Sequence, residues 1–192
     1  MDFGWQQQEM AILFIDLRGF TRLVEHAESV DVIFVLHEYY AEIGRLSSRF
    51  HGKVGHVAGD GVMLFFHRGP GMPSPEARAV NLALAFRKKM EFFREAWAAL
   101  DPDLDFGAGL ASGQAVIGGI GADACRDFTI IGSAANLASR LCAQAQPGQI
   151  LASRDFVSRV GDRVTADSLG RLRLKGLEAA VEAVNITGVR RK

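Results

Sequence analysis

Four residues stand out as groups able to do chemistry. Asp16 ends a run of five apolar residues in AILFIDLRGFTR, Ala11 to Arg22. Such a run, bounded by Gly, reads as a strand buried on both faces. A carboxylate there is partly desolvated, which is costly unless a cation or hydrogen-bond donors meet it. Asp60 lies in the GDG that separates KVGHVA from VMLFFH, a pattern that predicts a β-hairpin with the acid at its tip. If the hairpin lies beside the first strand, the two carboxylates converge and repel. They then share a proton or hold a hard divalent cation, and Mg2+ commonly takes one or two carboxylates plus substrate phosphates. Asn136 and Arg140 lie four apart in NLASR, on one face of a helix. An amide beside a permanently charged planar fork suits a sugar and a phosphoryl group. Taken singly, Asp16 is accounted for as a strand-end cap, Asp60 as a turn former, and Asn136 with Arg140 as a solvated helix face.

The elements that must position these groups follow from periodicity. Apolar residues at Val32, Ile33, Leu36, Tyr40, Ile43, Leu46 and Phe50 predict one amphipathic helix over 22–50, with Gly52 as its stop. A second helix is predicted from Glu76 to Leu100 after the Gly- and Pro-rich GPGMPSP. LDFGAGLASGQAVIGGIG reads as strand, bend and strand, and DFTIIG as a short strand. SAANLASRLCAQA reads as a helix with Ser133 at its N-cap, followed by QILAS, a short helix over Arg154–Val160, and the strands GRLRLK and AVEAVNI. The order is βαββαβ followed by αβαββ. This is an α+β fold, an antiparallel-rich sheet with helices packed on it, whose first half is a ferredoxin-like core with its helices expected on one face. No linker or internal repeat divides the 192 residues, so a single domain is expected.

Composition narrows the class. Lys+Arg and Asp+Glu are both 22, giving a formal charge of zero, so no general attraction to nucleic acid or to an anionic membrane is expected. The basic VRRK at the C-terminus reads as a solvated tail. Cys125 and Cys142 match no metal-site spacing and no disulfide framework, which suits a reducing, cytoplasmic setting. No apolar run reaches the ~20 residues of a membrane span. There is no GxxxxGK[ST] phosphate loop, the spacing of GAGLASG is wrong for GxGxxG, and the five histidines form no ligand set.

Taken together, LFIDLRGFT, GHVAGDGVMLFF, GLASGQAVIGGIG, DFTIIGSAANLASRL, PGQILAS and LRLKGLEAAVEAV resemble successive blocks of the class III nucleotidyl cyclase catalytic domain. The resemblance implies a homodimer with composite sites and two divalent cations, Mg2+ or Mn2+. Asp16, Asp60 and the Leu17 carbonyl of one subunit would hold the cations, and the backbone of Gly19, Phe20 and Thr21 would cradle the triphosphate. The other subunit would bring Asn136 to the ribose and Arg140 to the α-phosphate, and Lys175 in LKGLE matches the family's triphosphate lysine. The implied reaction is attack of the ribose 3′-oxygen on the α-phosphorus with loss of pyrophosphate. The base is not identified; Asp16, water and substrate phosphate are the candidates.

Two positions concern the nucleobase, and one of them departs from the family pattern. Four residues before Asp60, where adenylyl members usually carry Lys and guanylyl members Glu, this chain has His56. Seven before Asn136 it has Thr129, a type used by ATP-reading members. Both can donate or accept hydrogen bonds, and together they favour ATP, with a guanylyl or mixed cyclase as the alternative. An inactive nucleotide-binding or dimerising module is the alternative from another class, and retention of Asp16, Asp60, Asn136 and Arg140 argues against it. A sensor domain attached in a longer parent chain is compatible with the sequence.

Overall fold

The computed structural model describes residues 5–120 and 127–190. The elements run β1 (Gln6–Arg18), α1 (Phe20–His26), α2 (Ser29–Arg49), β2 (Lys53–Ala58), β3 (Gly61–His67), α3 (Pro75–Trp97), β4 (Asp105–Ile120), β5 (Asp127–Ile131), α4 (Ser133–Gln144), β6 (Ile150–Ser153), α5 (Arg154–Val160), β7 (Val164–Leu172) and β8 (Val181–Val189). The strands make one sheet in the order β2-β3-β1-β4-β6-β8-β7, with β5 paired to β4. The β2-β3-β1-β4 half is antiparallel throughout and forms the ferredoxin-like core. The β4–β6 pairing is parallel.

Alternation along β1 sorts its side chains to two cores. Ala11, Leu13, Ile15 and Leu17 join the core covered by α2, α3 and α5, with Tyr39, Phe86 and Trp97. Met10 and Ile12 join a second core beneath α4, with Phe14 packed against it. Burial on both faces explains why this strand reads as a continuous apolar run. Helices α1, α2 and α3 of the first half share one face of the sheet, as expected, and α4 of the second half covers the opposite one.

Four readings change. The single helix over 22–50 is two, broken where Ala27 and Glu28 are extended (ψ 161° and 147°). The left-handed residue ending α2 is His51 (φ 52°), not Gly52; a Cβ at Gly52 would come 2.7 Å from the Phe66 ring. The expected bend in GAGLASGQAVIGG is absent, and β4 runs unbroken for 16 residues. Ser133 is the first helical residue of α4 rather than its cap, and Gly132 holds the cap position. A Cβ at Gly132 would lie 2.7 Å from the Gln114 carbonyl, so close packing on β4 accounts for glycine there. Cys125 and the last two residues of VRRK lie outside the described residues.

Candidate active site

Asp16 and Arg18 follow Phe14 on the α4 side of β1, as the two-residue period requires. Asp60 reaches Asp16 through the tight β2–β3 hairpin, in which Ala58 pairs with Gly61. Gly59 takes φ 58° at the first turn position, as a type II′ turn needs. The turn is therefore made by Gly59–Asp60, not by the Asp-Gly pair that marked it in the sequence. The Tyr39 hydroxyl fixes the hairpin from below, lying 2.9 Å from the Asp60 carbonyl and 3.2 Å from that of Ile15. Tyr40 donates to the Gly59 carbonyl.

The two carboxylates converge. Asp16 Oδ2 faces the hairpin, 3.8 Å from where a Cβ on Gly61 would stand. Burial, followed by the Asp16 charge, raises the Asp60 pKa, against the lowering effect of the Asp60 and Leu17 backbone N–H groups. Burial also raises Asp16, opposed by Arg18. Among the described residues no third His, Cys, Asp or Glu joins them in a ligand cluster. Two half-buried, mutually repelling carboxylates fit a hard cation that draws its remaining ligands from water and substrate phosphate.

Arg18 contacts three groups. It is ion-paired with Asp16 Oδ1, its Nε donates to the Ala145 carbonyl at 3.0 Å, and its Nη2 donates to that of Cys142. Both carbonyls belong to the C-terminal end of α4, where a cation is favourably placed. Space for the guanidinium comes from Gly107, opposite Asp16 on β4, where a Cβ would overlap Arg18. Gly109 does the same for α4, since a Cβ there would overlap the Ala138 carbonyl and Cys142 N. The glycines of FGAG are thus clearance for a side chain and a helix. Burial pushes the Cys142 thiol up to about 12, so it stays protonated, donating to the Gly107 carbonyl at 3.4 Å.

On the same side of the sheet, a cavity of about 580 Å³ is lined by His56, Thr129 and Asn136, with Phe14, Met63 and Ser139. Strands β2 and β5 close on one another there, with Ile130 Cδ1 3.0 Å from where a Cβ on Gly55 would stand. Asp16 and Asp60 do not line this cavity. Arg140 is exposed on α4, and a Cβ on Gly176 would stand 3.9 Å from its Nη2. The turn carrying Lys175 therefore passes beside Arg140, and neither residue lines the cavity. Leu17 is buried in β1, and Gly19, with φ 87°, turns the chain into Phe20 and Thr21 at the start of α1. Arg22 pins that turn through its Nε, 2.8 Å from Asp101 Oδ2.

Sequence reasoning missed Phe14, Met63, Ser139 and Arg18. Ser139 lies three residues after Asn136, a helical spacing that marks the same face, and Phe14 shares the alternation of Asp16. Arg18 shares that alternation too, but its partners at 142 and 145 are distant in sequence.

Residues 5–188 match the model of the adenylate and guanylate cyclase catalytic domain. The chain belongs to that family, the class III nucleotidyl cyclases. The adenylyl cyclase CyaB from P. aeruginosa superposes with a TM-score of 0.90 at 31% identity, over 97% of each chain. The guanylyl cyclase Cya2 superposes with a TM-score of 0.86 at 26% identity, over 96% of this chain and 94% of that one. The uncharacterized protein Rv1318c of Mycobacterium tuberculosis is 31% identical over 190 residues, 97% of this chain and 34% of the relative. The chain thus spans about a third of the length of the curated relatives it matches. No helix among the described residues is long and apolar enough to cross a membrane.

Proposed function

We propose that the chain is a single catalytic domain that converts ATP to 3′,5′-cyclic AMP and pyrophosphate. The observation that carries the choice of ATP is the cavity shared by His56, Thr129 and Asn136. Its base-reading positions hold a hydroxyl and an imidazole, with no Glu, and this cavity would take adenine with the ribose against Asn136. Asn136 orients the ribose so that the 3′-oxygen points at the α-phosphorus, the positioning on which an intramolecular displacement depends. Arg140 balances the charge that develops on the α-phosphoryl oxygens. The backbone at Gly19, Phe20 and Thr21 and the Lys175 side chain hold the triphosphate, whose β- and γ-phosphates depart as pyrophosphate.

Asp16, Asp60 and the Leu17 carbonyl are the residues that would hold two divalent cations, Mg2+ or Mn2+. When bound, such cations stabilise negative charge on attacking and leaving oxygens. Because the two acids lie outside the base cavity, the reading is completed by a homodimer. One subunit supplies Asp16 and Asp60, and its partner supplies His56, Thr129, Asn136 and Arg140.

The test is product analysis with ATP and with GTP, each with Mg2+ and with Mn2+. Cyclic AMP as the main product is expected. Cyclic GTP-derived product in excess would overturn the base assignment, and Cya2 shows that a guanylyl cyclase shares this fold. No cyclic product in any combination would leave the domain a nucleotide-binding regulatory module.

A further inference from the structure

The position of Arg18 has a consequence for the order in which charges assemble at the acids. Its guanidinium meets Asp16 Oδ1, leaving Oδ2 toward the hairpin of Asp60. It is not a mobile surface cation. Its other nitrogens are held by the Ala145 and Cys142 carbonyls, and the clearance at Gly107 is shaped to it. Arg stays charged throughout the physiological range and its planar fork serves three acceptors at once. A fixed positive charge against one of two acids partly cancels the negative potential that a divalent cation would feel.

We propose that Arg18 is a positioning residue and built-in counter-charge for Asp16, which suppresses divalent-cation binding until a nucleotide triphosphate adds its own negative charge. This rests on the reading of Asp16 as a metal ligand. It orders the assembly: cation and nucleotide load together, and a cation alone is held weakly.

The test is binding of Mn2+ alone, without nucleotide, followed by the electron paramagnetic resonance signal of free Mn2+. In Arg18→Met, which keeps the aliphatic stem, Mn2+ is expected to bind at least about tenfold more tightly than in the wild type. Arg18→Lys, which loses the planar fork but keeps the positive charge beside Asp16, is expected to stay within about threefold. A purely structural role for Arg18 would weaken binding or leave it alone. Mn2+ affinity in a folded Arg18→Met protein equal to or below the wild type therefore overturns the proposal. Should Arg18→Met fail to fold, Gly107→Ala displaces the guanidinium by crowding and must shift Mn2+ affinity in the same direction. Asp16→Asn separates the two levels: wild-type Mn2+ binding in that variant removes the metal reading of Asp16 itself.

Discussion

The clearest effect at the residue scale is electrostatic. Asp16 and Asp60 both have pKa values above the ordinary Asp value, chiefly through burial. Between that ordinary value and the raised one, the folded state holds more protons than the unfolded chain. Stability therefore falls as pH rises through the window, and the loss persists at neutral pH. Asp60→Asn should raise the thermal midpoint at pH 7 in chelator by on the order of a few degrees, while cyclase activity is lost. An unchanged or lower midpoint in scanning calorimetry would refute the repulsion. Tyr39 gives the opposite outcome. Its hydroxyl lies within hydrogen-bonding distance of two carbonyls beneath the acids, so Tyr39→Phe should destabilise by about 1–3 kcal/mol in urea unfolding. Its activity should fall further than stability alone explains, because the hairpin carrying Asp60 is released.

At the scale of elements, the interlock of α4 with β4 is the feature most open to test. Gly109 is where helix backbone meets strand backbone. Gly109→Ala forces α4 off the sheet and should cost roughly 1–3 kcal/mol or more, read from the urea midpoint. Activity should be lost even where the protein remains folded, because Asn136 and Arg140 move with the helix. Here too lies the difference between what the sequence discloses and what it hides. Strand β1 was legible as an apolar run bounded by Gly, and helix α3 as an apolar helical stretch after the Gly- and Pro-rich GPGMPSP, because these are local signals. Asp16, Asp60, Asn136 and Arg140, each accounted for singly as cap, turn or solvated face, became a candidate set only through the resemblance of the blocks that carry them. The break at Ala27–Glu28 was not legible, since apolar periodicity continues across it. The unbroken β4 was obscured by its glycines, which mark close approach by distant segments as readily as they mark bends.

At the scale of the whole molecule, the separation between acids and base cavity makes a prediction about assembly. Mixing Asp60→Ala with Asn136→Ala, each inactive alone, should restore activity, because one heterodimeric site would carry a full set of groups. About a quarter of wild-type activity is the natural expectation, from random pairing and one intact site in each mixed dimer. No recovery, with mixed dimers shown by tagged co-purification, would exclude the composite site.

That same separation bears on how such a domain diversifies. Phe14, His56, Thr129 and Ser139 line the cavity, and Asp16 and Asp60 do not. On the proposed reading of that cavity, substitutions in β2, β5 and α4 change purine choice while Asp16 and Asp60 stay in place.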